Sequence, residues 1–536
     1  MNRQSLTRAG HPGPERRRWR RVYDDFPVAL TPVASGSRRK VIKGVALDFD
    51  QEGVRFRSDR PLREGEAVNI AFTLPRSASN SFRGLPCRWP GKVRIVRPME
   101  GEEPCYDVVL QWPLPLPDMV QGAVNSHRQK ILAWLFLVLA LIIWMKWDNL
   151  KFFWYTPWVY IYSFTIGAYF LSRFLISKFY QAPPMTGYEP TLSIVISVRN
   201  EEDAIAKTVD SCFDADYPDH KREVIVVDDG SADQTPRVLK DLQARYPGLK
   251  VFTIPPSGKR VGMATGVRNA EGEIIVFVDS DTFIYRNALR QIVCGFEAPS
   301  LGAVSGHTEV ENPDKNALTG LQEVRYFLSY RLMKASESVF GCVSCCPGCL
   351  SAYRRSYVLD VLDAWLAQTF LGATATFGDD RSLTNYILRN YRVIYNERVL
   401  STTMVPETWP RYLRQQVRWK KSWLRETMIA ARFMYKKHPA AAISFYLSAI
   451  CSLLSPIAVF RALYIGFMDP GGMMLLFYFV GLVLDGLSQC LFYLAARPNS
   501  HWMLGMLLVA SQLIVLGPQT YYAILTMRKN HWGTRS

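Results

Sequence analysis

The stretch Glu273–Leu289, EIIVFVDSDTFIYRNAL, decides how this chain folds. Its apolar run from Ile274 to Val278 reads as a strand buried on both faces, the habit of a parallel sheet. Asp279-Ser280-Asp281 then closes the strand with two carboxylates. Upstream, Thr191–Val198 (TLSIVISV), Glu223–Asp229 (EVIVVDD) and Lys250–Pro255 (KVFTIP) repeat the pattern, each followed by a polar or amphipathic stretch. That alternation predicts an α/β doubly wound domain of parallel strands, whose ligands bind outside the carboxyl ends of the strands.

Apolar blocks flank this domain. Lys130 and Lys146 bracket ILAWLFLVLALIIWM, and a second, aromatic-rich block runs from about Phe152 to Ile176 before Pro183-Pro184. Three more follow, near Ala440 to Tyr464, Met473 to Ala495 and Trp502 to Leu525. Two early and three late spans put the C-terminus outside, although Arg528, Lys529 and Arg535 prefer the inside, unless the Pro456 block hides two short spans. The expected division is a β-barrel over 1–125, two transmembrane helices over 126–182, the catalytic domain over 183–408, an interfacial amphipathic region over 409–438 and a transmembrane bundle over 439–536. The barrel is expected from short alternating runs such as GVRFRS, AVNIAFTL and YDVVLQW.

With 64 Lys and Arg against 47 Asp and Glu, the net charge is 64 − 47 = +17, which suits anionic partners. Arg16, Arg17, Arg18, Arg20 and Arg21 cluster near the N-terminus, and other basic residues flank apolar stretches. No secretory signal precedes the barrel region, so it and the central domain are expected in the cytoplasm. Ten cysteines form no disulfide framework and are expected as free thiols.

Two strand-end acidic clusters carry the chemistry. Asp228-Asp229 ends one strand, and Asp279 with Asp281 ends another. A nucleoside diphosphate is too negative to approach such carboxylates without a bridging Mg²⁺ or Mn²⁺. A third acidic pair, Asp379-Asp380, precedes the helix-like SLTNYILRN; capping is its bland role, and a general base for an acceptor hydroxyl is its chemical one. Asp380 is the candidate base. Arg411–Glu426, RYLRQQVRWKKSWLRE, is amphipathic and strongly basic, so it is expected along the membrane surface. Within it, Arg418 suits a diphosphate and Trp419 offers a flat face to a sugar ring.

Six ordered motifs closely resemble hyaluronan synthases: VDDGS (Val227–Ser231), GKR (Gly258–Arg260), VDSDTFIYRNAL (Val278–Leu289), QTFLG (Gln368–Gly372), GDDRSLTNY (Gly378–Tyr386) and RQQVRWKKSWLRE (Arg414–Glu426). The resemblance covers about residues 150 to 460 and extends to chitooligosaccharide and cellulose synthases. It implies a GT-A catalytic domain of a processive family-2 glycosyltransferase. By that similarity Glu201 and Asp229 help hold the uridine, with Asp228 also among the donor-binding residues, Lys259 and Arg260 hold the diphosphate, and Asp279 with Asp281 the donor and its metal. Asp380, beside Asp379, matches the family's base, and Gln415, Arg418 and Trp419 match its Gln-x-x-Arg-Trp motif by the pyrophosphate and the product channel. Processive polymerisation of UDP-sugars, secretion of the growing polysaccharide and residence in a bacterial inner membrane are likewise implied.

The run Cys342–Cys349, CVSCCPGC, has spacings seen in zinc sites, but no second cluster accompanies it. It resembles the acceptor-side loop of the same synthases, with Cys346, Pro347 and Gly348 at its centre, although those families have Gly-Pro where this chain has Pro-Gly. The N-terminal region resembles a PilZ domain, a receptor for cyclic di-GMP. Arg17 and Arg21, or Arg16 and Arg20, match its Arg-x-x-x-Arg motif, and Asp48 to Gly53 matches Asp-x-Ser-x-x-Gly except that Asp50 replaces serine. A juxtamembrane basic segment drawn to anionic lipid is the competing role. The leading expectation is a synthase using UDP-GlcNAc, with or without UDP-GlcA, regulated by cyclic di-GMP. The alternatives are a chitin-like or glucan homopolymer synthase and a non-catalytic cyclic di-GMP receptor; nucleic acid is not an expected partner.

Overall fold

The computed structural model describes residues 26–32, 42–49, 53–58, 62–64, 66–73, 86–99, 105–111, 116–148, 157–468 and 473–528. The chain divides into two compact units, Met1–Phe136 with Leu491–Trp502, and Leu137–Cys490 with Met503–Ser536.

The first unit holds β1 (Phe26–Pro32), β2 (Ile42–Phe49), β3 (Gly53–Ser58), β4 (Ala67–Thr73), β5 (Pro86–Met99) and β6 (Cys105–Gln111), closed in the order β1-β2-β3-β6-β5-β4. Alternation explains the closure: Val54 and Phe56 are buried while Arg55 and Arg57 are exposed, so every second residue enters the barrel. Asp48 stands opposite Arg55 just past a register shift, and Gly53 opens β3. The arginines 16, 17, 20 and 21 and Asp50 lie outside the described residues.

The second unit is built on an eight-stranded sheet. Its strands are β7 (Leu192–Val198), β8 (Arg222–Asp228), β9 (Leu249–Thr253), β10 (Ile274–Val278), β11 (Thr282–Ile284), β12 (Leu301–Val310), β13 (Leu350–Arg354) and β16 (Arg392–Thr403). A separate hairpin pairs β14 (Thr369–Phe370) with β15 (Ala373–Thr374). The sheet order is β11-β16-β12-β13-β10-β7-β8-β9. The β10-β7-β8-β9 half is parallel. The wholly parallel sheet expected from sequence is corrected in the other half, where β13 runs antiparallel to both β10 and β12, and β11 to β16. Apolar clusters pack on both faces, as uniformly buried strands require. The chain runs outward from β7 through β8 to β9 and returns to the other side of β7 as β10. A crevice therefore opens at the carboxyl ends of β7 and β10.

Helices needed below are α1 (Leu116–Asp148), α2 (Pro157–Ser177), α3 (Lys259–Arg268), α4 (Ala317–Leu328), α5 (Asp379–Leu388), α6 (Trp409–Met434), α7 (Pro439–Met468) and α8 (Met473–Ala496). Among the described residues, four helical stretches are long and apolar enough to cross a membrane: Asn125–Asp148, Pro439–Arg461, Phe479–Ala496 and Ser500–Leu525; Ile161–Ser177 is a shorter apolar helix. Trp134, Phe136, Trp144 and Phe460 are exposed on them, as lipid contact requires. α1 begins at Leu116, and its membrane-length stretch begins at Asn125, beside the boundary expected at 126; one expectation is corrected here. α7 passes unbroken through Pro456, and its 30 residues reach only about 45 Å at 1.5 Å per residue, too short for two spans.

Candidate active site

The carboxyl edge of the sheet gathers the acidic motifs. Asp229 follows β8 and Asp279 follows β10, and both strands run parallel to β7, so their ends open on one side. The Asp229 carboxylate accepts from Ser257 N at 2.6 Å and from Gly258 N at 3.0 Å. This ties down the loop before α3. Gly258 sits at φ 94°, a conformation side-chain-bearing residues rarely adopt, and the turn delivers Lys259 and Arg260 at the start of α3.

These consecutive cations go to different carboxylates. Lys259 Nζ pairs with Asp279 on the cavity wall. Burial works against the Lys259 charge, but Asp279, Asp379 and Asp380 together outweigh it and raise its pKa. Arg260 turns into the protein, where Nε meets Asp379 Oδ1 at 2.7 Å and Nη1 donates to Trp365 O and Gln368 Oε1. Burial pushes the Asp379 carboxyl up, against the pull of Arg260 and Lys259. Around this pair Ser382 Oγ donates to Gln368 Oε1 at 2.6 Å, Gln368 Nε2 to Glu426 Oε1 at 3.1 Å, and Arg425 Nε to the same Glu426 oxygen at 2.8 Å. The network fastens α3, α5 and α6 together.

Asp380, one residue further, also lines the cavity but is not clamped by Arg260. Its Oδ1 accepts from Arg381 N at 2.8 Å and its Oδ2 lies 3.6 Å from Cys345 Sγ. Gly378, which precedes α5, sits at φ 76°, and a β-carbon there would fall 1.8 Å from Ser422 Oγ. Only glycine lets α5 start so close to α6.

One cavity of about 2200 Å³ brings together Glu201, Asp229, Lys259, Asp279, Asp281, Pro347, Gly348, Asp379, Asp380, Gln415, Arg418 and Trp419. Three anticipated residues stand behind its wall. Asp228 is buried and accepts from Ser231 N at 3.0 Å and Ser231 Oγ at 2.6 Å, so it shapes the turn after β8. Arg260 is held in the network above. Cys346 is buried and its N–H donates to Thr384 Oγ1, whereas its neighbours Cys345 and Cys349 line the cavity. Gly348 has a steric reason: a β-carbon there would sit 2.7 Å from Asp279 Oδ1.

Sequence reasoning missed Arg325, Lys334 and Lys420, which also line the cavity. Arg325 Nη1 donates to Gln416 Oε1 at 2.5 Å and to Tyr412 Oη at 2.8 Å, and its guanidinium lies 5.9 Å from the Trp419 ring centre. Lys420 Nζ donates to Thr520 Oγ1 at 2.9 Å. Burial, then the nearby Arg325 charge, lowers its pKa to about 8. The same cavity runs among apolar helices past Tyr162, Ser455, Gln489 and Gln512.

Among the described residues no group of three or more His, Cys, Asp or Glu is placed to enclose a metal ion. Asp279 and Asp281 instead put two carboxylates on the cavity wall. That donor set fits a hard cation shared with substrate phosphates rather than one caged by protein.

Residues 193–362 match the family Glycosyl transferase family 2. The hyaluronan synthase of Streptococcus pyogenes is 28% identical over 388 residues, covering 71% of this chain and 91% of the relative. An N-acetylglucosaminyltransferase of Azorhizobium caulinodans is 28% identical over 358 residues, covering 66% of this chain and 89% of its own length. A solved mannosyltransferase of Pyrobaculum calidifontis, in complex with GDP-Man and Mn²⁺, superposes with a TM-score of 0.48 at 21% identity, over 74% of this chain and all of that one. Residues 193–362 are thus a family-2 glycosyltransferase domain, in a chain with several helices long and apolar enough to cross a membrane. Within that family it resembles hyaluronan synthase.

Proposed function

We propose that this protein is a processive, inverting synthase that polymerises UDP-sugars, UDP-GlcNAc with or without UDP-GlcA, into a β-linked polysaccharide and passes the chain across a bacterial inner membrane. One observation carries the reading: the acidic clusters after β8 and β10, Asp380 and the Gln415–Trp419 segment share a single cavity that continues among the apolar helices.

In this reading Asp229 and Glu201 face the uridine, and Lys259 leaves Asp279 to meet the diphosphate. Asp279 and Asp281 would hold Mg²⁺ or Mn²⁺, which offsets the charge of the departing UDP. Asp380 takes the proton from an acceptor hydroxyl, whose oxygen attacks the anomeric carbon from the face opposite UDP. That attack inverts the centre and releases UDP. Asp379, clamped by Arg260, positions the first turn of α5 and so the base. Arg418 and Trp419 flank the diphosphate and the new sugar, and Pro347 with Gly348 faces the acceptor. The catalytic unit and barrel lie on the cytoplasmic side in this reading, where the donor is available.

The N-terminal barrel is proposed as a PilZ-like receptor through which cyclic di-GMP regulates synthesis. Six-strand closure, with Asp48 near the end of β2 and Gly53 opening β3, supports it; the arginines 16, 17, 20 and 21 supply the remaining motif.

The purified full chain in nanodiscs, given Mg²⁺ or Mn²⁺ and a panel of UDP-sugars with and without cyclic di-GMP, tests all of this. Polymer requiring both UDP-GlcNAc and UDP-GlcA is the hyaluronan-like outcome, and polymer from one donor alone is the homopolymer outcome, which the N-acetylglucosaminyltransferase relative keeps open. No UDP release from any donor would overturn the synthase reading. Calorimetry of the full chain with cyclic di-GMP tests the barrel, and no heat of binding overturns it.

A further inference from the structure

Two neighbouring glutamines on α6 leave opposite halves of their amides unmatched. Gln415 Oε1 and Gln416 Nε2 are both buried, and neither has a hydrogen-bond partner among the described residues. For Gln416 the amide orientation is dictated. Arg325 has only donors, so the Gln416 oxygen must face it, and the 2.5 Å contact leaves the nitrogen for something else. Gln416 is only 1% exposed although it borders the cavity, so its N–H is held at the wall with no acceptor among the described residues. A buried donor without an acceptor is costly enough that such groups rarely persist without a partner in some functional state.

The surroundings say what that partner is. Gln415 and Gln416 lie four and three residues before Trp419 on one helix, which makes all three neighbours on its surface. Arg325 lies against the Trp419 ring as well as against Gln416, so one guanidinium fixes both. All four residues line the cavity. A flat aromatic face, an unmatched acceptor and an unmatched donor side by side are complementary to a pyranose, which offers an apolar face, hydroxyl hydrogens and oxygen acceptors at its rim.

We propose that Gln416, held by Arg325, is a specificity-determining residue for the acceptor saccharide, its Nε2 donating to an oxygen of the sugar seated on Trp419. This rests on the synthase reading above, but its test does not need turnover. The full chain in nanodiscs with saturating UDP is titrated with a fluorescently labelled β-linked N-acetylglucosamine oligosaccharide, followed by anisotropy, alongside Gln416→Glu and Gln416→Leu. Glu at this position still accepts from Arg325, so the helix contact survives while the donor is lost.

The expected result is saturable binding by the unsubstituted protein, weakened about tenfold in Gln416→Glu, with UDP affinity within about twofold and an unchanged melting temperature. Gln416→Leu weakens binding at least as much. Arg325→Lys, which keeps the charge but loses the fork that touches both partners, gives an intermediate loss. Oligosaccharide affinity in both Gln416 variants equal to that of the unsubstituted protein, or no saturable binding by the unsubstituted protein, overturns the proposal. If the oligosaccharide effect appears although no donor yields UDP, the synthase reading falls and the subsite stands; if UDP is released and binding is insensitive to residue 416, the subsite falls alone.

Discussion

Lys259 and Arg260 are adjacent in sequence and begin the same helix, yet they live in different physical worlds. Lys259 sits on the cavity wall against Asp279, each side chain about a quarter exposed, whereas Arg260 and Asp379 are each under a tenth exposed. The first pair can open, because water replaces what either partner loses. The second cannot open cheaply, since separating buried charges leaves each one uncompensated. In the proposed mechanism the first pair handles substrate and the second holds the wall on which the candidate base is mounted.

Substitutions can break or sharpen that contrast. The largest effect is expected at the base itself: Asp380→Asn should lower polymer synthesis by about 10²- to 10⁴-fold while UDP still binds, checked by UDP release and by UDP titration. Unchanged synthesis would remove Asp380 from the mechanism. Arg260→Ala should act on stability instead, costing about 3–5 kcal/mol by stranding Asp379, seen as a lower melting temperature in detergent. Lys259→Met should do the reverse, raising the donor KM about tenfold with little change in melting temperature. If both variants lose stability equally, the two pairs do not differ as described.

The smallest effect concerns Lys420, a half-buried cation whose charged neighbour is Arg325 rather than a carboxylate. Folded Lys420 gives up its proton near pH 8, while the unfolded side chain keeps it to about 10.5. Between those values the unfolded state binds more protons, so stability should rise slightly with pH across that window. Comparing melting temperatures of the protein and Lys420→Met from pH 7 to 10 checks the sign; the variant should lack the rise.

The parallel half of the sheet was legible because Ile274–Val278 and its sister runs are buried on both faces, a pattern that survives in a one-dimensional string. Asp229, Asp279, Asp281 and Asp380 were legible because strand ends and helix starts announce themselves. Arg260 was not, since nothing in Gly-Lys-Arg says which cation turns inward; that choice is made by Asp379, 119 residues away. Arg325 carries no local signal at all, as its helix holds no motif and its partner Gln416 is 91 residues distant. Cys345 and Cys346 were confused for a simpler reason: in an irregular loop, the alternation that would tell inward from outward side chains is not fixed by sequence. The antiparallel β13 escaped because a short apolar strand carries no mark of its direction.

Gly378 has a consequence that reaches beyond this one molecule. Its positive φ and its contact with Ser422 are separate demands met by the same missing side chain. Wherever α5 is set this close to α6, a side chain at 378 faces two penalties at once, a left-handed backbone and the space already filled by residue 422, so trimming Ser422 alone would relieve only one of them.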